Sequence, residues 1–392
     1  MKFVKLIFAA ALLFSSNAAL ADLQTDLENK SGQIESLKDD IDAASASMTT
    51  KISDLNDLID QIDLPPPEPA ENPAYKLRAS SCGSVGIGYY PYEIKYHEGF
   101  MYISTVGGNA GGTENARFYK FNPDTCSFVS SYSAGPYYSG GVYYHGYNGF
   151  TIIGDKAYAA RNRMDLGTSF IDVINLSNTT LDRSISVGTG ALRGVTTDGE
   201  DLYFVLDGPD NLKKVDLSAS DAISTLYTFT AGSKPFKVEY TDGKLVALLF
   251  NAHQIKFFDT DGTLRSTINT GASTSPNWAT PDGEGNIFVS YYYGHKAVKI
   301  DMDTESIVTT YNLPAADYPH QALPVMGQLW VGGTTTPTSY IRVFNIATGS
   351  LITSYAKGEN IPTMAFDGQK VWNVSANGNY LYPTSVDLIW NP

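Results

Sequence analysis

From residue 90 onward, the side chains with the most chemical scope recur at matching places. Glu93, His145, Arg193, Lys237, Trp278, Gln321 and Met364 each stand just ahead of an apolar run, at approximately equivalent positions of a repeated pattern. Gathered round one mouth they form a chemically mixed ring. A hard cation wants several oxygen ligands; here Glu93 is the one carboxylate, and Arg193 and Lys237 would repel the ion. No metal site is expected. The histidines, His97, His145, His253, His295 and His320, are scattered and never spaced as a short metal motif such as His-x-x-x-His. His145 and His320 are the pair that could share a pocket as acid and base. The alternative is loop histidines bonded to backbone or water. No Gly-x-Ser-x-Gly elbow occurs and neither cysteine has a basic neighbour in sequence, so nucleophilic hydrolysis is not supported. The run Gly107-Gly108-Asn109-Ala110-Gly111-Gly112 lacks a Gly-Lys-Ser/Thr and opens no helix, so it reads as a loop and not a phosphate cradle. No cofactor is implied.

Tyrosine is the more suggestive residue. Tyr89-Tyr90-Pro91-Tyr92, Tyr137-Tyr138, Tyr143-Tyr144, Tyr147, Tyr291-Tyr292-Tyr293 and Tyr318 cluster in segments that lead into or cap strands. An exposed tyrosine offers a flat apolar face with a polar tip and modest ordering cost, which suits sugar rings, peptides and protein surfaces. The competing expectation is that these rings pack between sheets. The candidate ligand-binding set is Tyr90, Tyr92, Glu93, Tyr144, His145, Arg193, Lys237, Trp278, Tyr292, His320 and Gln321.

What must position these residues is a repeat. Seven times a short strand leads through a tight turn to a more apolar one, as in Phe100-Met101-Tyr102-Ile103, Leu202-Tyr203-Phe204-Val205, Leu245-Val246-Ala247-Leu248 and Val371-Trp372-Asn373-Val374. The turns recur as Asp198-Gly199, Asp242-Gly243, Asp282-Gly283 and Asp367-Gly368, the dipeptide that supplies positive φ in hairpins. Third strands end in Asp or Asn turns such as Val215-Asp216-Leu217-Ser218, Ile300-Asp301-Met302-Asp303 and Phe344-Asn345-Ile346-Ala347-Thr348-Gly349. Pro235, Pro276, Pro319 and Pro362 mark successive starts at intervals of 41, 43 and 43 residues. A four-stranded unit of that period predicts propeller blades. The expected fold class is all-β, a seven-bladed β-propeller over residues 75–392, preceded by an α-helical coiled-coil stalk. The ring closes through Val386 to Trp390 or through a strand borrowed from Tyr75 to Gly88.

The pattern of Asp-Gly, an aromatic and aliphatic strand, then aliphatic-Asp-x-x-Thr-Gly resembles the YVTN, NHL and gluconolactonase-like seven-bladed propellers of secreted bacterial proteins. The resemblance covers about residues 82 to 392. It implies the architecture and a functional face formed by the lead-in loops and the loops between second and third strands. Gluconolactonase-like relatives use carboxylates and amides around one cation; only Glu93 matches such a set here.

The first 74 residues are of another kind. Lys2 and Lys5, the apolar run Leu6–Phe14 and Ala19-Leu20-Ala21 predict a signal peptide over residues 1–21, cleaved before Asp22. Export puts Cys82 and Cys126 in an oxidising compartment, where a disulfide between them is expected. Spacing alone leaves two free thiols open as the alternative. Over residues 22–63 an apolar seam runs Leu23, Leu27, Ile34, Leu37, Ile41, Ala44, Met48, Ile52, Leu55, Ile59, Ile62, with 11 acids and 3 bases around it. Steps of three and four predict a coiled coil; a solvated helix or spacer is the alternative. Pro65-Pro66-Pro67, Pro69 and Pro73 make residues 64–74 a stiff linker.

A net charge of −14 disfavours nucleic acid or an anionic membrane as partner. No membrane span is expected in the mature protein. The expected function is a secreted, surface-displayed or periplasmic recognition or adhesion protein, a head binding a glycan or protein ligand on its tyrosine-rich face and homo-oligomerised by the stalk. The alternative is an extracytoplasmic enzyme of lactonase or lyase type with its pocket at the channel mouth.

Overall fold

The computed structural model describes residues 24–51 and 82–385 apart from 27, 49, 89, 108–114, 135–145, 163–166, 335–338, 358–359 and 377–378. The chain divides into two compact units, Met1–Pro73 and Ala74–Pro392. In the first, residues 24–48 are helical. The seam residues Ile34, Leu37, Ile41 and Met48 are 61–67% exposed, so among the described residues this helix carries an uncovered apolar stripe. No described helix is long and apolar enough to cross a membrane. The expected signal peptide, the rest of the seam and the proline-rich linker lie outside the described residues.

The second unit is a ring of seven four-stranded antiparallel sheets. Six of the sheets run in sequence order from an inner strand to an outer one, and the seventh takes its outer strand from the start of the propeller; the inner strands begin at Pro91, Tyr147, Ala191, Pro235, Pro276, Tyr318 and Met364. The turn chemistry read from the sequence builds the lower face. Asp198 Oδ1 accepts from the Glu200 and Asp201 amides (3.0 and 2.8 Å), and Asp216 Oδ1 from those of Ser218 and Ala219 (3.0 and 2.9 Å). Such Asx turns close the hairpins and use many of the acids locally.

Seven buried apolar clusters fill the seven interfaces between neighbouring blades. Period-two alternation lets each strand feed the clusters on both sides of its sheet: Tyr203 and Val205 pack toward blade four, Leu202, Phe204 and Leu206 toward blade two. Two tyrosines expected on the loops belong to this core. Tyr291 is 1% exposed and Tyr147 fully buried, its hydroxyl donating to Asp172 Oδ2 at 2.8 Å.

Ring closure takes the second of the two expected routes. Blade seven holds three strands from the C-terminal end, Met364–Phe366, Lys370–Ser375 and Tyr380–Ser385, and receives Val85–Gly86 as its outer strand, with Val85 opposite Leu381 and Gly86 opposite Tyr380. The Cys82–Cys126 disulfide joins the start of that strand to the outer turn of blade one, Cα atoms 5.6 Å apart. Hydrogen bonds alone hold a two-residue strand weakly; the covalent bridge ties it to the neighbouring blade.

Candidate functional site

Six of the seven inner strands carry a β-bulge at their upper end, at Pro91/Glu93, Tyr147/Phe150, Leu192/Gly194, Pro235/Lys237, Pro276/Trp278 and Pro319/Ala322. A bulge adds a residue and re-aims its side chain. It therefore sorts the mouth of the central channel into two levels. Bulge residues Tyr92, Asn148, Arg193, Phe236 and His320 are half-buried, whereas Glu93, Lys237, Trp278 and Gln321, the next residues along, are buried. Asn277, the bulge residue of blade five, is buried as well and donates to the Pro319 carbonyl at 3.1 Å. The sequence alignment had Arg193 and Met364 at the level of Glu93 and Lys237. By register the equivalents are Gly194, which opposes Val205 as Lys237 opposes Leu248, and Thr363, whose carbonyl accepts from the Val374 amide at 3.2 Å.

The lower level closes on itself. Lys237 Nζ lies 2.9 Å from Glu239 Oε1, 3.5 Å from Glu93 Oε1 and 4.1 Å above the Trp278 ring. Glu93 also has Lys95 Nζ at 3.5 Å and accepts the Phe150 amide at 2.9 Å. Thr363 Oγ1 donates to the Tyr92 carbonyl at 3.0 Å, and the Met364 amide donates to Gln321 Oε1. These bonds join blades across and around the channel. Two glycines make room: a Cβ on Gly149 would stand 2.6 Å from Glu93 Oε2, and one on Gly194 3.3 Å from Lys237 Cγ.

The electrostatics follow. Burial opposes ionisation of Glu93, but the Lys237 and Lys95 ammonium groups and the Phe150 amide outweigh it and hold the carboxyl below its usual range. Burial likewise opposes charge on Lys237, and Glu239 with Glu93 overrides it, leaving the ammonium firmly protonated. Burial pushes the Tyr92 phenol up to about 12 against the pull of Arg193 and Lys237. Burial lowers His320 to about 4, with Nδ1 enclosed and without a hydrogen-bond partner. Each of these groups is therefore fixed in one protonation state at neutral pH. Among the described residues no group of three or more His, Cys, Asp or Glu is placed to hold a metal ion.

Above this plug lies an open cleft of about 610 Å³ over blades one to three, with Tyr90, Tyr92, Asn148, Asn162, Arg193 and Asp207 in its walls. Arg193 is clamped by Asp207 Oδ2, at 3.1 Å from Nη2 and 3.3 Å from Nε. Asn162 Oδ1 accepts from the Leu192 amide at 2.7 Å and Ser169 Oγ at 3.1 Å. Tyr90 adopts a left-handed backbone (φ 55°), its amide donating to Asn379 Oδ1 at 3.0 Å. A tyrosine in that region is strained by about 1–2 kcal/mol, and here the closure of blade seven holds it.

Beside the cleft, over blades four to six, aromatic rings form a continuous shelf. Tyr292 lies 4.9 Å from Tyr293, 5.2 Å from Tyr318, 5.3 Å from His320 and 6.2 Å from Phe250, and Phe250 lies 5.5 Å from Phe236. Trp278 belongs to the plug, 5.9 Å from Tyr92.

Of the expected ligand set, the structure brings Tyr90, Tyr92 and Arg193 to the cleft and Tyr292 and His320 to the shelf, and draws Glu93, Lys237, Trp278 and Gln321 into the plug or its neighbours. Tyr144 and His145 lie outside the described residues. His253 and His295 are clamps between blades: the Ser275 amide donates to His253 Nδ1 at 3.1 Å, and His295 Nδ1 donates to the Asp317 carbonyl at 2.7 Å. Sequence reasoning missed Asn148, Asn162 and Asp207. Asp207 had a signal, the Asp-Gly-Pro-Asp turn between second and third strands on the face already chosen; Asn162 had none.

Fold and site together define a seven-bladed β-propeller with an internally neutralised channel and an open cleft at its mouth. No protein-family model and no curated protein matches the sequence. The chain is similar to a solved streptogramin B lyase structure, with a TM-score of 0.58 and 14% identity over 77% of this chain and 98% of that one. At that identity the likeness is one of fold.

Proposed function

We propose that this is an exported recognition protein whose upper cleft binds a saccharide and whose helix multiplies the heads. The observation that carries the reading is the contrast between the two levels of the mouth. The cleft concentrates planar, bidentate or amphipathic groups, the Arg193–Asp207 pair, Asn148, Tyr90 and Tyr92, which suit hydroxyl-rich rings. Tyr92 in its wall, Glu93 beneath it and His320 on the other side of the mouth are held away from the neutral range in which a general acid or base works. Such a site supports binding better than proton transfer. The exposed seam on residues 24–48 supports self-association, through which weak head contacts add as avidity.

Calorimetry on the full chain with saccharides selected from a glycan array tests this. Arg193→Ala is expected to weaken the best binder at least tenfold; undiminished binding would remove the cleft from consideration, and array silence with capture of a peptide would replace the saccharide. In parallel, Ile34→Asp with Ile41→Asp is expected to reduce the mass seen by light scattering to that of a monomer. A full chain already monomeric would count against the stalk. The second reading, a lactonase or lyase at the same mouth, is favoured by the fold likeness to streptogramin B lyase. Turnover of a lactone or of streptogramin B, assayed with and without divalent cation and lost in Glu93→Gln, would displace the first reading.

A further inference from the structure

The cleft and the aromatic shelf have so far been described apart, yet they share one wall. Arg193 is held by Asp207 on the cleft side, and its guanidinium carbon lies 5.6 Å from the Phe236 ring centre on the other. Phe236 continues to Phe250, and Phe250 to Tyr293 at 5.9 Å, so the aromatic surface runs unbroken from the cleft to the far side of the mouth. Tyr293 is 51% exposed, and Tyr292 and Phe250 are half-buried. The rings are also fixed in place: Tyr293 meets Tyr292 and Tyr318 edge-on, and Lys234 Nζ sits 4.9 Å from the Phe250 ring centre.

We propose that the mouth is an extended site for an oligosaccharide of three or more units, one end held by polar groups in the cleft and the rest stacked along Phe250, Tyr292 and Tyr293. This rests on the reading of the cleft as a saccharide site and adds the ligand's length to it. The physical reason is the separation of the two chemistries. A sugar held by Tyr92 and the Arg193–Asp207 pair lies on the cleft side of Arg193, whereas the shelf begins beyond Arg193 and offers rings with few polar partners. Stacking of successive units on fixed aromatic faces tolerates their stereochemistry while the cleft reads the terminal unit.

The test is calorimetry on the full chain with cello-, chito- and malto-oligosaccharides of one to six units. Affinity is expected to rise at least tenfold between one unit and four within the series that binds, then to level off. Tyr292→Ala with Tyr293→Ala is expected to return the tetramer to the affinity of the disaccharide while leaving the monosaccharide unchanged, and Tyr292→Phe with Tyr293→Phe to keep the gain. Arg193→Ala is expected to weaken every length. Affinity independent of length, or an alanine pair that weakens one unit as much as four, would overturn the extended site and leave the cleft reading standing. Failure of every series at every length would overturn both.

Discussion

Removing the disulfide should loosen the ring at one identifiable seam. In a Cys82→Ser, Cys126→Ser protein the loop of 44 residues is no longer closed in the unfolded chain, and the chain-entropy relation puts the loss at about 4 kcal/mol. Against this, the closing segment keeps the short pairing of Val85–Gly86 with Tyr380–Leu381 and bonds such as Ile87 N to the Asn379 carbonyl at 2.8 Å, Gly88 N to Tyr119 Oη at 3.0 Å and Tyr90 N to Asn379 Oδ1 at 3.0 Å. Each contributes about 1 kcal/mol net, so local opening should become cheap even where the rest of the ring holds. Spread over the unfolding entropy of a propeller of about 310 residues, 4 kcal/mol lowers the melting temperature by roughly 6 °C. Scanning calorimetry without reductant measures this, at several scan rates because a large ring can unfold irreversibly. Hydrogen exchange at Ile87 is expected to accelerate more than at the inner strands. A melting temperature within about 1 °C of the parent, with unchanged exchange at Ile87, would refute the claim that the bridge secures closure.

Three further outcomes follow from the plug and its neighbours. Glu93→Gln removes one partner of a buried ammonium that keeps Glu239, and should cost about 3 kcal/mol in urea unfolding; Lys237→Met should cost more, because it strips the ammonium from both Glu93 and Glu239. Gly149→Ala sets a Cβ at φ 133° against the Glu93 carboxylate and should destabilise by roughly 2 kcal/mol or more by the same assay, with Gly194→Ala milder. His320 has its folded pKa depressed, so the unfolded chain binds the extra proton: stability is full above about pH 6.5 and falls as pH drops toward about 4, by at most ~3 kcal/mol. Urea midpoints at pH 7.5 and 4.5 should differ less in His320→Phe than in the parent, and an equal difference would assign the acid sensitivity elsewhere. Glu93 acts in the same sense in a lower window, contributing above the ordinary carboxyl range and losing that contribution as pH falls through its depressed folded value.

Much of the fold was legible because the signals are local. An Asp-Gly pair decides its own hairpin, an Asp three residues ahead of an amide decides its own turn, and alternating apolar residues decide two faces of one strand; repeated seven times, these fix blades and their number. Cys82 and Cys126 pointed to a bridge only through the expected compartment, and their pairing depends on blade seven meeting blade one. Residues 85–86 joining 380–381 is likewise a contact between the two ends of the propeller, invisible to any window of neighbours. At the mouth, one extra residue in six of the seven inner strands changed the outcome. Arg193 is itself the bulge residue and reaches the cleft, whereas Lys237 follows its bulge and lies below it. The fate of Glu93 was decided by what stands across the channel: an ammonium from blade four makes the carboxylate part of the plug. Tyr147 and Tyr291 went into the core because they lie within strands packed between blades, and Tyr292 to the mouth because that strand ends at Tyr291; composition is blind to where a strand ends. The sequence by itself determined the repeating unit and the face on which ligands would meet it. Tertiary structure decided which charges neutralise one another, which rings remain open, and how the ring is locked, because those depend on distances between residues far apart in the chain.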